Sequence, residues 1–252
     1  MHGSHSTARL RPETVQPVGV GAVLVLGIAV ACTLFYLKWR SEQKRRDLLV
    51  QWAAANKWSF AARDDSWAER WQGTPFGEGS SRHARNVLTG QWKGRPFSSF
   101  DYSYETYSSN GKGGTTTETH YFAVSAVTLP TYLPSLQVTP ENLLSRLGNA
   151  LGLSDIELES EDFNRAFRVH ANDPKFASDV LTARTMQMLL GRPRFSWRIE
   201  GGDILCWHDG EQHPAEVTAR VATLLDVVAG IPSFVWHDNG YDAGSTAVGG
   251  TS

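Results

Sequence analysis

The densest group of side chains able to ligate a metal ion lies late in the chain, at Cys206, His208, Asp209 and His213. Zinc sites are usually built from two separated groups of ligands, such as a Cys-x2-Cys pair with a second pair elsewhere. Here only one group is present, and Asp209-Gly210 is typical of a turn that follows a strand. The sequence therefore favours a packed cysteine beside exposed turn histidines over a metal-dependent hydrolase. We expect no cofactor.

Three other motifs resemble sites but lack a part that the chemistry requires. His237-Asp238 could belong to a catalytic triad, but no Gly-x-Ser-x-Gly nucleophile motif precedes it. The pair also lies at the start of a tail that is predicted to be disordered. The loop from Asn110 to Thr115 lacks the Gly-Lys-Ser/Thr order of a phosphate loop, so a flexible hairpin is favoured. An acidic run could bind a divalent cation but lacks the spacing of a calcium loop, which favours a solvated face. Its members are Asp155, Glu157, Glu159, Glu161 and Asp162.

An aromatic stripe is the remaining candidate for a ligand surface. Phe100, Tyr102 and Tyr104 alternate with polar residues and predict a strand with one aromatic face, followed by Tyr107. Aromatic strand faces belong more often to a core than to a binding platform. The motifs together favour a non-enzymatic protein.

All these residues follow a long apolar segment near the start of the chain. It runs from Val18 to Leu37 without a charge. A helix of this length spans about 30 Å, the hydrocarbon thickness of a bilayer. It therefore predicts one transmembrane helix. Ala29-Val30-Ala31 before Cys32 also resembles the end of a lipoprotein signal, so an exported lipoprotein domain is the alternative. The apolar run continuing to Leu37 and the basic residues after it favour the anchor.

A cluster of basic residues follows the apolar run and predicts its orientation. Arg9 and Arg11 precede the run, whereas five basic residues follow it. Because positive flanks stay in the cytoplasm, we expect the N-terminus outside the cell and the C-terminal domain in the cytoplasm. We call these five residues the basic collar and expect them to contact lipid headgroups. They are Lys38, Arg40, Lys44, Arg45 and Arg46.

Charge is distributed unevenly along the chain. Residues 64–252 carry 15 Lys and Arg against 23 Asp and Glu, although the whole chain has a net charge of only −2. An acidic surface repels phosphate backbones, so nucleic acid is a poor partner. We expect the lipid bilayer, and a protein, as partners.

The pattern after the apolar run predicts a soluble α+β domain with an antiparallel sheet of hairpins and several packed helices. The predicted segments are a disordered tail (1–17), the transmembrane helix (18–37), a basic juxtamembrane helix (38–57), the α+β domain (58–236) and a second disordered tail (237–252).

Local signals predict the individual elements of that domain. Strands are expected at Asn86–Trp92, Phe97–Tyr107, His120–Leu129, Leu136–Val138 and Phe163–His170, and a hairpin with a Gly201-Gly202 turn joins Phe195–Ile199 to Ile204–His208. Helices are expected after Thr139-Pro140, after Asp173-Pro174, after Thr182 and from Pro214 to Gly230.

Four segments carry a resemblance to a known group of proteins. They are GRPFSSFDYSYET (94–106), HYFAVSAVTLPTYLPSLQVTPE (120–141), ESEDFNRAFRVHANDPKFASDVLTARTMQMLL (159–190) and WRIEGGDILCW (197–207). In these segments the chain resembles a group of membrane-anchored bacterial proteins of unknown function, common in high-GC Gram-positive genomes. The resemblance implies one or more membrane spans followed by a cytosolic α+β domain, and it implies no catalytic residues.

Overall fold

A computed structural model describes residues 18–109, 114–146 and 154–242. The chain divides into two compact units, Met1–Arg45 and Arg46–Ser252. The fold is α+β, as the sequence predicts: an N-terminal apolar helix is followed by an antiparallel sheet and several helices. The loop from Asn110 to Thr115, expected to be a flexible hairpin, falls mainly on residues 110–113, which lie outside the described part of the chain.

The N-terminal helix α1 comprises Val18–Ala55 and joins the predicted apolar and juxtamembrane helices into one element. Within the described residues it is the one helix long and apolar enough to cross a membrane, and its apolar window is not buried by protein. Its last turns belong to the second unit, where Leu49 and Ala53 are buried against Leu88.

Seven strands form one sheet in which every pairing between described strands is antiparallel. The order is β1-β2-β3-β4-β6-β5, and β7 pairs with the opposite edge of β4. The predicted central strand is confirmed, because Ser125 of β4 pairs with both Ser99 and Cys206. The strands are β1 (Ser59–Arg63), β2 (Ser80–Trp92), β3 (Arg95–Ser109), β4 (Thr115–Pro140), β5 (Ser154–Ile156), β6 (Phe167–Ala171) and β7 (Ser196–Asp209).

The helices of the second unit begin largely where the sequence places caps. Asp173 accepts hydrogen bonds from the amides of Lys175 and Phe176, and Thr182 accepts one from Thr185, which confirms both predicted starts. The predicted last helix is also confirmed. The elements are α2 (Glu161–Ala166), α3 (Pro174–Val180), α4 (Ala183–Leu190), α5 (Pro214–Gly230) and α6 (Ser233–Asp238), with 3-10 turns at Asp65–Trp67 and Glu141–Arg146.

The predicted hairpin at Gly201-Gly202 is wrong. These glycines lie inside β7, which pairs with β4 from Trp197 to Asp209 through register shifts opposite Thr128 and Leu133. Gly201 has a φ of 60°, and the ring of Tyr132 packs over it. A glycine pair between two alternating segments marks either a turn or a bulge, and the partner strand decides which.

Three further expectations are corrected in part. Thr139-Pro140 ends β4 instead of capping an α-helix, and the chain continues as the 3-10 turn, with residues 147–153 outside the described part. The predicted strand Phe163–His170 begins as α2, because Ser160 caps a helical turn, and becomes extended only at Phe167. The tail predicted from residue 237 begins within α6, and residues 243–252 are not described.

The bent sheet has a hydrophobic cluster on each face. Helices α2 to α5 cover one face, where Val221 and Leu224 pack with Trp197 and Ile199. The segment between β1 and β2 covers the other face with Trp71 and Phe76. Phe100, Tyr102 and Tyr104 lie in this second cluster, so the aromatic stripe is core, whereas Tyr107 is exposed.

Replacing Gly201 by alanine tests the bend of β7. An alanine Cβ would lie 3.3 Å from the Tyr132 ring in a left-handed backbone conformation, so we expect Gly201→Ala to lower the free energy of unfolding by about 1–2 kcal/mol. Gly202→Ala is the matched control, because its Cβ would make an ordinary 3.9 Å contact. Chemical denaturation of the purified protein measures both; equal losses would contradict the role of Gly201.

Candidate functional site

The four candidate metal ligands do not converge. Cys206 is fully buried in the cluster beneath α5, opposite Ser125 of β4. Burial raises the pKa of its thiol to about 12, so the thiol stays protonated at neutral pH. Among the described residues, no group of three or more His, Cys, Asp and Glu side chains is arranged to hold a metal ion.

His208, near the end of β7, lies next to charged residues of α5. Its Nε2 is 3.5 Å from the carboxylate of Glu216, which accepts a 2.6 Å hydrogen bond from Arg220. Burial, together with the positive charge of Arg220, lowers the pKa of His208. His213 precedes α5 without capping it through its side chain. The imidazole of His208 is therefore neutral at physiological pH.

The acidic run and the His237-Asp238 pair make contacts with residues near them. In the acidic run, Asp155 lies 2.8 Å from the Nε2 of His170, and Arg165 lies near both Glu161 and Asp162. His237 and Asp238 lie at the end of α6, with a long 3.8 Å separation and high exposure. These groups form no shared site.

A cleft with a volume of about 760 Å³ lies at one end of the β3–β4–β7 region. Its walls come from residues 118–122 of β4, from 207–210 at the end of β7, from Tyr104 of β3 and from the Thr74-Pro75 turn. Ser196, at the start of β7, also lines it. The two ends of β7 meet at this cleft because the strand bends at its glycines.

Aromatic rings form the main apolar surface of the cleft. The ring of Tyr104 lies between two others, with His120 at 4.8 Å and Phe122 at 5.9 Å, and both are nearly parallel to it. Thr106 and the Nε2 of His120 share a 2.9 Å hydrogen bond, which fixes the outer ring of the stack. Burial and the carboxylates of Glu78, Asp209 and Glu118 raise the pKa of Tyr104, so its hydroxyl remains protonated.

A buried guanidinium lies directly behind the cleft. Arg198 is 1% exposed, and its charge contacts the rings of Phe76 and Trp207 at 5.3 Å each. It pairs with Glu200 at 2.8 Å, while its Nε and Nη1 have no hydrogen-bond partner among the described residues. Burial lowers the pKa of Arg198 against the opposing effect of Glu200, yet an arginine stays charged. The group fixes the position of Trp207, which lines the cleft.

The segment between β1 and β2 is held on the sheet by polar contacts. Asp203, which is nearly buried, accepts hydrogen bonds from Arg70 at 2.8 Å and from the indole of Trp71 at 3.2 Å. The backbone of Gln72 donates to Glu200 and accepts from Arg198. These contacts hold the Thr74-Pro75 wall of the cleft in place.

Comparisons with known proteins give one informative likeness. The solved structure of the mycobacterial trehalose monomycolate transport factor A, TtfA, has a similar fold, with a TM-score of 0.56 at 13% sequence identity. The match covers 75% of this chain and 95% of that chain. No protein-family model matches the sequence, and no curated protein matches it significantly. At this identity the likeness establishes a shared fold, and it is to a protein of a high-GC Gram-positive genus.

The sequence did not predict the cleft. Its lining residues come from six separated stretches of chain, and no local motif joins Glu118 or Tyr121 to Trp207. The available signals were the aromatic alternation at Tyr104 and the polar pair His208-Asp209, which both line the cleft.

Replacing His208 tests its buried neutral state. The unfolded chain binds a proton at this histidine near pH 6.5, whereas the folded chain, with its lowered pKa, does not. Stability therefore falls as the pH drops below about 6.5, and His208→Gln should make this fall shallower. The exposed His237→Gln is the control and should leave the slope unchanged. Denaturation midpoints across this pH range measure the effect; identical slopes for the two variants would exclude it.

Proposed function

We propose that this protein is a single-pass membrane protein whose C-terminal α+β domain is a non-enzymatic accessory module at the cytoplasmic surface. Residues 18–37 are its anchor, its N-terminus lies outside the cell and the domain contacts a protein partner. The structure that shares this fold, TtfA, is named as a transport factor, which agrees with such a role.

One observation carries the proposal, the unburied apolar surface of α1. Large apolar side chains along it, including Leu26 and Phe35, are more than half exposed. The free energy of hiding such side chains from water is about 1.5–3 kcal/mol each, and no contact within the described protein provides it. A bilayer supplies that environment at the matching length.

The basic collar supports the proposed orientation. Four of its members, Lys38, Arg40, Lys44 and Arg46, are exposed, and Arg45 is half-buried. Each basic side chain near an anionic leaflet contributes about 1 kcal/mol of attraction. Because the cytoplasmic leaflet carries this negative charge, the collar favours a domain on that side.

The chemistry of the described residues supports a non-enzymatic role over a metal-dependent hydrolase. The thiol of Cys206 is protonated and enclosed, so it is a poor nucleophile and a poor ligand. His208 has a neutral ring and lies next to an ion pair within α5. Cys206 therefore lacks the exposed, electropositive surroundings of a reactive thiol.

Substitutions in α1 separate the anchor from a lipoprotein signal. A lipoprotein needs Cys32 for its lipid, so we expect Cys32→Ser to remain fully in the membrane fraction with an unprocessed N-terminus. Leu26→Arg, in the apolar run, costs about 2.5–3.5 kcal/mol at the bilayer centre and should reduce membrane insertion. Fractionation and N-terminal sequencing measure both variants.

A reporter fused after residue 252 measures the orientation. We expect activity of a cytoplasmic reporter and no cleavage of the domain by protease added to intact cells. Release of the Cys32→Ser variant from membranes, or an external C-terminus, would overturn the proposed function.

A further inference from the structure

The cleft has an acidic rim. Glu118 and Asp209 line it, and Glu78 and both of these carboxylates act on the hydroxyl of Tyr104. None of the described residues that line the cleft is Lys or Arg. Arg198 lies behind Trp207 and is paired with Glu200, so its charge is offset. A concave surface with carboxylates of one sign favours cationic groups and repels phosphates and carboxylates.

The rings add a second preference, for a flat cation. Phe122 lines the cleft, is partly buried and lies on the same face of β4 as Glu118. Tyr121, which is 46% exposed, lines the cleft from the opposite face of the strand. The negative face of an aromatic ring attracts cations, and a guanidinium stacks on it with less desolvation than an ammonium. Carboxylates next to such a ring bind the same guanidinium through its N–H groups. The cleft therefore fits an arginine side chain better than a lysine or a bare metal ion.

The backbone next to the cleft favours an extended ligand. Residues 115–121 of β4 pair with β3 on one edge, whereas the β4–β7 register begins only at Phe122 and Asp209. Gly210 donates one hydrogen bond to the carbonyl of Tyr121, and among described strands none continues this edge. A strand edge with unpaired amides and carbonyls binds extended peptides by β-augmentation.

We propose that the cleft binds an extended, arginine-bearing segment of a partner membrane protein, with the arginine beside Phe122 and Glu118 and the backbone along residues 115–121 of β4. This inference rests on the proposed cytoplasmic orientation. Membrane proteins concentrate Lys and Arg in the short cytoplasmic stretches next to their spans. A tethered acidic domain on that side meets such segments at high local concentration.

A synthetic peptide tests this binding directly. The probe is a short capped peptide of alternating arginine and valine, titrated by calorimetry onto the full chain in phosphatidylcholine nanodiscs, where the lipid is uncharged. We expect saturable binding that weakens as salt is raised, because the contact is electrostatic and screened. The same peptide with citrulline, the neutral isostere of arginine, should not bind. A lysine version should bind more weakly.

Matched variants assign the binding to the cleft. Glu118→Gln and Tyr121→Ala should each weaken peptide binding by about threefold, and together by about tenfold. The first removes the carboxylate beside the arginine, and the second removes an exposed ring on the other face of the strand, where the valines of the extended peptide lie. Glu161→Gln changes the same charge on α2, and Tyr107→Ala removes a comparably exposed ring from the same pair of strands. Neither residue lines the cleft, so both variants should bind as the unmodified protein does.

Three outcomes would overturn the inference: no binding of the arginine peptide, equal binding of the citrulline peptide, or equal effects of cleft and control variants. These outcomes would not contradict the proposed membrane anchor or its orientation, because fractionation and the reporter test those separately. An external C-terminus would instead remove the proposed function and the source of the ligand, while peptide binding in nanodiscs would still report on the cleft.

Discussion

The structure of the α+β domain depends on one backbone constraint, the bend of the paired strands β4 and β7 where Tyr132 packs on Gly201. In a straight strand, Arg198 and Trp207 would be about 30 Å apart. Here the guanidinium of one contacts the ring of the other at 5.3 Å. Glycine accepts this left-handed backbone and the close tyrosine without the strain that a Cβ would add. The bend therefore folds the sheet over its own aromatic face and brings the ends of β7 together at the cleft.

Features governed by neighbouring residues were predictable from the sequence. Asp173-Pro174 and Thr182 start helices as expected, because a cap depends on a side chain and the amides two or three positions later. The central position of β4 also followed from its apolar residues on both faces. The wrong hairpin prediction at Gly201-Gly202 shows the limit of prediction from neighbouring residues. Local patterns give the same signal for a turn and a bulge, and the outcome depends on the distant Tyr132.

The cleft and the buried charge of Arg198 could not be predicted either, because both depend on residues that are distant in the sequence. In sequence, Arg198 and Glu200 alternate with Trp197 and Ile199, a pattern that indicates a strand with a solvated face. That face is covered by the segment between β1 and β2, whose glycines and scattered aromatic residues indicate an irregular loop and give no sign of where it packs. Burial of a polar strand face is thus decided by a loop that is more than 100 residues away in the chain.

The cost of that burial indicates what the Arg198–Glu200 pair does. Removing two charges from water is expensive, and an apolar pair of similar size is often as stabilising, so stability alone does not explain it. An apolar pair could not, however, satisfy both polar atoms of the Gln72 backbone, as Glu200 and Arg198 do. Two hydrogen bonds to the amide and the carbonyl of the same residue restrict where the loop can lie on the sheet. Since that loop carries the Thr74-Pro75 wall, the buried pair sets the shape of the cleft.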